Sequence, residues 1–147
     1  YTVAFQTQLL NLQKGDKVLE IGTGSGFQTC ILCEMGAKVT TIERQRELFI
    51  KSKFIIHHLK YNPKLIYGDG YKGQPLIAPF DKILVTCGAP FIPDALLQQL
   101  KIGGILVIPL GAGAKQEMQR ITRISETEFQ KETFGDFSFV PMLENKN

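Results

Sequence analysis

Three glycines at alternate positions, Gly22, Gly24 and Gly26, follow an apolar run, Val18-Leu-Glu-Ile21, and precede a helix-forming stretch that opens at Phe27. A glycine turn between a strand and a helix lets backbone approach a ligand with no Cβ in the way, and tolerates φ > 0 where the chain doubles back. With Thr23 and Ser25 between the glycines, this turn is a candidate ligand cradle; a purely structural turn is the alternative. The dinucleotide fingerprint places its third glycine one position later, where this chain has Phe27. No Lys or Arg lies between Gly22 and Phe27, and the Gly-Lys-Ser/Thr ending of a phosphate loop is missing, which argues against a polyphosphate.

Two further carboxylates have the right spacing. Glu43 falls about 20 residues beyond the first glycine, at the expected end of a second strand, where a carboxylate accepts two hydrogen bonds from a ribose diol. Its alternative is a surface pairing with Arg44 or Arg46. Asp69, between Gly68 and Gly70, is placed to accept from an adenine amino group while backbone at Gly70 meets the ring edge; the alternative is an aspartate capping its own turn. Glu20, inside the first strand beside the glycines, either orients the loop or balances a nearby cationic ligand.

These residues need a frame. Val3, Phe5, Leu9, Leu10 and Leu12 recur at helical spacing until Lys14-Gly15-Asp16. A strand over 17–21 follows, then a helix over 27–35 closed by Gly36, a β-branched strand over 38–42 and a helix over 44–60. Asn62-Pro63 ends that helix, 64–67 reads as a third strand and 82–87 as a fourth, apolar enough to be buried on both faces. Pro93 starts a helix over 94–100, and Gly103-Gly104 reverses the chain into a fifth strand over 105–109. Residues 118–124 alternate and 137–143 read as extended. Strands alternating with helices predict an α/β fold: a doubly wound, mostly parallel sheet with helices on both faces. Ligands of such sheets lie at the carboxyl ends of the strands, where the strand order reverses, so the glycine turn, Glu43 and Asp69 should share one crevice.

The 147 residues fit one domain. A net charge of +3, from 17 basic and 14 acidic residues without a clustered stripe, does not suggest nucleic acid. The apolar stretch over 102–110 falls well short of the ~20 residues that span a bilayer, so no membrane segment is expected. Three cysteines make no disulfide framework and suit a reducing, cytoplasmic setting. Cys30-Ile-Leu-Cys33 has no second pair to complete a zinc site and reads as two small buried apolar residues. His57 and His58 are adjacent on a helix and do not share a face, so no metal is expected.

The segments Val18-Leu-Glu-Ile-Gly-Thr-Gly-Ser-Gly-Phe-Gln-Thr29, Thr41-Ile-Glu-Arg44, Gly68-Asp-Gly-Tyr-Lys-Gly73, Phe80-Asp-Lys-Ile-Leu-Val-Thr-Cys-Gly-Ala-Pro90, Val107-Ile-Pro-Leu-Gly111 and Phe139-Val-Pro-Met-Leu143 resemble the protein-L-isoaspartate O-methyltransferases. The similarity runs almost throughout the chain. It implies a Rossmann-like methyltransferase domain that uses S-adenosyl-L-methionine, releases S-adenosyl-L-homocysteine, and methylates the α-carboxylate of L-isoaspartyl residues in damaged proteins as a monomer. The resemblance further implies a methyl donor near Thr86 and weaker substrate contacts at Ala89, Pro90, Val140 and Pro141, and it gives Glu20 a sulfonium to balance. The family's catalytic serine lies in a Thr-Ile-Ser-type segment just before the proline and tyrosine that introduce the first helix. Tyr1 matches that tyrosine, so the chain reads as an N-terminally truncated domain; the serine falls upstream of Tyr1 and no catalytic residue carries over.

Two rival readings follow. One is another methyltransferase of the same fold; an exocyclic base nitrogen calls for an Asp/Asn-Pro-Pro-aromatic element where Thr86-Cys-Gly-Ala-Pro90 stands. The other is a cofactor-binding fragment, inactive without its N-terminus.

Overall fold

The structure, a computed structural model, describes residues 1–142. Helix α1 (Thr2–Leu10) leads into β1 (Lys17–Ile21), α2 (Phe27–Glu34), β2 (Lys38–Glu43), α3 (Arg46–His58) and β3 (Lys64–Tyr67). A 3-10 turn, Gly70–Lys72, precedes β4 (Phe80–Val85), α4 (Asp94–Gln98), β5 (Leu100–Leu110), β6 (Gln116–Arg123) and β7 (Phe129–Phe137). The seven strands form one sheet in the order β3-β2-β1-β4-β5-β6-β7. From β3 to β5 the pairing is parallel, and the β5–β6 and β6–β7 pairs are antiparallel.

Side-chain alternation splits the core between the two faces of the sheet. Val18, Leu84, Val107 and Met118 pack under Leu9 and Leu10 of α1 and Leu32 of α2. Leu19, Ile83, Leu106 and Ile108 face the other way, onto Leu96 of α4. β1, β4 and the middle of β5 are buried on both faces, which is why their sequences read as nearly unbroken apolar runs.

Two expectations are corrected. Gly103-Gly104 does not reverse the chain: β5 begins at Leu100 and runs through both glycines, with a register irregularity against β4 between Phe80 and Lys82. Gly103 has φ +86, and a Cβ on Gly104 would sit 2.9 Å from the Asp81 carbonyl oxygen, so the pair bends a continuing strand. The last strand is 129–137 rather than 137–143. Beyond it an isolated bridge pairs Pro141 with Gly88, and Leu143 lies outside the described residues. Cys30 and Cys33 are half-buried rather than fully so.

Candidate functional site

β1 lies between β2 and β4, and the chain crosses over on opposite sides from it, so the sheet opens a crevice at the carboxyl ends of these strands. The glycine turn sits at its floor. Gly22, Gly24 and Gly26 have φ of +98, +55 and +88. A Cβ on Gly22 would lie 2.5 Å from the Thr86 Oγ1, and one on Gly26 would lie 3.0 Å from Ile56 of α3. Gly24 differs: a Cβ there meets nothing within 4 Å, so the turn presents bare backbone to open space. The Thr86 hydroxyl bonds the Gly22 carbonyl at 2.5 Å and the Ile21 carbonyl at 2.9 Å, tying the end of β4 to the turn.

Glu43 ends β2 and is only 5% exposed. Its Oε1 accepts from the Gly24 N–H at 2.8 Å and its Oε2 from the Gln45 N–H at 3.0 Å. Each carboxylate oxygen has a second lone pair, so a carboxylate oriented by two amides still accepts two donors from a ligand. Gly22, Gly24, Glu43, Gly70 and Thr86 line one cleft, open to solvent. The spacing argument thus brings together the glycine turn, the acid after β2 and the turn after β3.

Other expected residues lie elsewhere. Asp69 is not in the cleft wall: it caps the 3-10 turn, its Oδ1 accepting from the Tyr71 N–H at 2.9 Å, the bond its turn-capping alternative describes. Ser25 is exposed and its Oγ accepts from the Phe27 N–H at 3.3 Å. Thr23 and Gly26 are buried behind the turn, away from the cleft wall. Ala89 is fully buried, its backbone pairing with Pro109 and Gly111 beside β5, and Pro90, though exposed, does not line the cleft. Tyr1, the residue that the resemblance sets just after the family's catalytic segment, is not in the cleft wall either. It is the N-cap of α1 and is exposed, its ring stacked on Phe5 at 6.0 Å and on Phe137 at 6.4 Å, so packing against the helix and β7 holds it on the antiparallel side of the sheet.

Glu20 is also outside the cleft wall and wholly buried. Its Oε1 accepts from the Thr29 hydroxyl and, at 2.7 Å, from the Thr41 hydroxyl; Thr41 is in turn 2.6 Å from the Thr23 hydroxyl. Oε2 has no partner. Burial pushes the carboxyl up to about 7, against the two hydroxyl bonds that lower it, and Glu43 raises it further.

Opposite the turn a short strap, 139–142, closes one side of the cleft. The Gly88 N–H donates to Val140 O and the Met142 N–H to Gly88 O, both at 2.7 Å, while the Phe139 N–H donates to the Gln116 Oε1 at 2.8 Å. Val140, Pro141 and Met142 line the cleft. Sequence reasoning missed Gln45 and Leu48, which wall the cleft from the start of α3, and Cys87, whose thiol burial pushes up to about 12. The first two were findable: a ligand on Glu43 must also touch the first turn of the next helix. Among the described residues no His, Cys, Asp and Glu are grouped to hold a metal.

A parallel sheet with an antiparallel β6–β7 end, a glycine turn after β1 and an acid closing β2 define the Rossmann-like methyltransferase class. A solved protein-L-isoaspartate O-methyltransferase superposes with a TM-score of 0.91 at 26% identity, over 98% of this chain and 47% of that one. A Plasmodium falciparum structure assigned the same activity, solved in complex with S-adenosyl-L-homocysteine, gives 0.84 at 26% identity over 98% of this chain and 74% of its own. The profile of the protein-L-isoaspartate(D-aspartate) O-methyltransferase family matches residues 1–147. The protein-L-isoaspartate O-methyltransferases of Flavobacterium psychrophilum and Christiangramia forsetii are 61% and 60% identical over 100% of this chain and 69% of theirs. The chain belongs to the protein-L-isoaspartate O-methyltransferase family.

Proposed function

We propose that this chain binds S-adenosyl-L-methionine in the cleft and carries the methyl transfer of its family, onto the α-carboxylate of L-isoaspartyl residues in damaged proteins. The observation that carries the cofactor reading is Glu43, buried, oriented by the Gly24 and Gln45 amides and still able to accept from a diol. In this reading Glu43 holds the ribose, Gly22 and Gly24 give bare backbone to the amino-acid end, Gly70 meets the adenine edge, and Thr86 keeps the turn in place. Asp69 shapes its turn, Ser25 caps the start of α2 from the exposed side of the glycine turn, and Glu20, Thr23 and Gly26 support the turn from its buried side.

The cofactor supplies an electrophilic methyl on a cationic sulfur. The chain's own task is to orient and to exclude water. An α-carboxylate is already an anion at neutral pH, so the attack requires no strong general base. Holding nucleophile, methyl and sulfur in line in a partly dry cleft lowers the barrier by several kcal/mol, roughly. Val140 and Pro141 stand at the rim, where an extended peptide would approach. The substrate reading rests on family membership along the whole chain. On the same reading the protein works as a monomer in the cytoplasm, on proteins rather than nucleic acid or membranes; among the described residues no helix is long and apolar enough to cross a bilayer.

The test is a paired assay with labelled methyl donor and two peptides that differ only in an isoaspartyl or a normal aspartyl linkage. Label is expected in the isoaspartyl peptide alone. Equal labelling of both would sink the repair assignment. Because the chain spans 69% of its bacterial relatives, a second reading is a cofactor-binding module; binding of S-adenosyl-L-homocysteine with no transfer to either peptide would establish it.

A further inference from the structure

Four lysines that are scattered in the sequence meet at the end of the sheet away from the cleft. Lys17, Lys38 and Lys64 are the first residues of β1, β2 and β3, three neighbouring parallel strands, and Lys60 follows the last turn of α3. Together they line one hollow, which Val39, Pro63 and Ile77 line as well. The hollow and the cleft lie at opposite ends of the strands: Lys38 opens β2 and Glu43 closes it, roughly 16 Å further along.

The positive charge in this hollow is not balanced from within. Among the described residues no Asp or Glu lines it, and none of the four lysines forms an ion pair. The acids on the bordering segments have other partners. Asp16 pairs with Lys82 at 3.5 Å and accepts from the Gln13 N–H at 2.9 Å, Asp81 pairs with Lys101 at 3.2 Å, and Glu34 accepts from the Tyr61 hydroxyl at 2.8 Å. The Lys17 ammonium rests over the Phe80 ring, 5.7 Å from its centre, an interaction that holds the side chain and leaves its charge in place. Lys60 has φ +68, at the helix-ending position where glycine is the default. Its own N–H on His57 O at 2.9 Å, and the Tyr61 N–H on Ile56 O at 3.2 Å, fix that backbone and so the point from which its side chain starts.

We propose that this hollow binds a multivalent phosphate anion, independently of the ligand in the cleft. A lysine ammonium is a compact point charge that meets phosphate without the fixed fork of arginine. A single carboxylate would leave most of the four charges uncompensated, whereas a phosphate chain or cluster sets several negative charges side by side. The lining is concave, which fits a small ligand and not a flat protein surface. The Asn62 amide, also in the lining, adds uncharged donors. An anion seated there ties the starts of β1, β2 and β3 to the end of α3, and so secures the β3 edge of the sheet.

The experiment is calorimetric titration of the chain with tripolyphosphate, a free phosphate chain, and with inositol hexakisphosphate, a phosphate ester. The wild type should bind one equivalent, and the tighter of the two probes tells which source the hollow prefers. Lys38→Gln/Lys64→Gln should weaken binding roughly tenfold, the combined size of two solvent-exposed charge contacts. The control pair Lys51→Gln/Lys53→Gln makes the same change of net charge on α3 outside the hollow, and should alter affinity by no more than about twofold. Lys60→Gly relieves the left-handed backbone, so it should melt no lower than the wild type and still bind roughly threefold more weakly. Saturation with S-adenosyl-L-homocysteine should leave the anion's affinity unchanged. Equal weakening by the two lysine pairs would show a diffuse charge effect and overturn the inference. So would failure of the wild type to bind either probe, or mutual exclusion of the probe and S-adenosyl-L-homocysteine, which would put the anion in the cleft.

Discussion

At the residue scale two acids share the glycine turn and do different work because their surroundings differ. Glu43 meets the turn from the cleft side, where two N–H groups hold both oxygens. Glu43→Ala removes that acceptor and should weaken S-adenosyl-L-homocysteine binding by roughly 1 to 3 kcal/mol, the range for loss of a charged hydrogen-bond partner. Calorimetry that finds equal affinity in a variant with an unchanged melting curve rules out the ribose role. Glu20 sits behind the turn with its carboxyl raised from 4.5 to about 7 by burial. Below about pH 4.5 the folded and unfolded chains both hold this proton; between there and 7 only the folded chain holds it, so stability falls as pH rises through that window. Above 7 the cost of the buried charge is fully present. Glu20→Gln lacks this term, and denaturant unfolding should show it gaining roughly 2 to 3 kcal/mol on the wild type between pH 4.5 and 7. A constant difference across the window would mean that the acid titrates normally.

At the element scale the turn works because each of its glycines answers a different constraint. Gly22 combines φ +98 with a Cβ position 2.5 Å from Thr86 Oγ1, whereas Gly24 has φ +55 and open space around it. Gly22→Ala should therefore cost about 2 to 4 kcal/mol of stability, through strain and overpacking together. Gly24→Ala should cost about 1 kcal/mol and act mainly on ligand affinity, since its methyl would occupy cleft. Thermal melts beside calorimetry separate the two; a larger stability loss in Gly24→Ala than in Gly22→Ala contradicts this assignment. The same contrast explains what the sequence made legible. β1 and β3 have the bounds their patterns predict, and Glu43 meets Gly22 and Gly24 at one cleft because one strand-helix-strand unit sets their spacing. β7 was not found: Gln130, Lys131 and Glu132 give an exposed edge strand paired only with β6 no apolar period to read. The strap was expected near the substrate from the resemblance, not from pattern. It is made by bonds between Gly88 and residues 140–142, a tertiary pairing that no local pattern announces. For Asp69, sequence offered both a ligand and a cap, and the Tyr71 N–H on Oδ1 shows that the cap is made.

At the scale of the whole molecule the sheet has two halves held in different ways. The parallel half, β3 to β5, is fixed by cores on both faces and carries the cleft. The antiparallel end depends on α1. Phe5 of α1 stacks on Phe137 at 5.5 Å and meets Phe134 edge-on at 6.1 Å, and Arg120 lies over Phe134 at 5.2 Å while pairing with Glu132 at 3.0 Å. The Gln6 amide of the same helix reaches Val85 O at 3.0 Å, at the end of β4, next to Thr86 in the cleft wall. α1 thus couples the outermost strand to the strand that supports the glycine turn. Contiguous elements that share such contacts open as a unit, with a lower free energy than the core. Phe134→Ala should cost about 1 to 3 kcal/mol, less than a fully buried phenylalanine because the ring is only half-buried. In hydrogen exchange, amides of α1 and β7 should lose protection together while those of β1 and β4 keep theirs. S-adenosyl-L-homocysteine, gripped by the parallel half, should restore little of it. Loss confined to β7, with α1 as protected as in the wild type, would show that the helix is held by the sheet core alone and that the aromatic cluster does not couple the two halves.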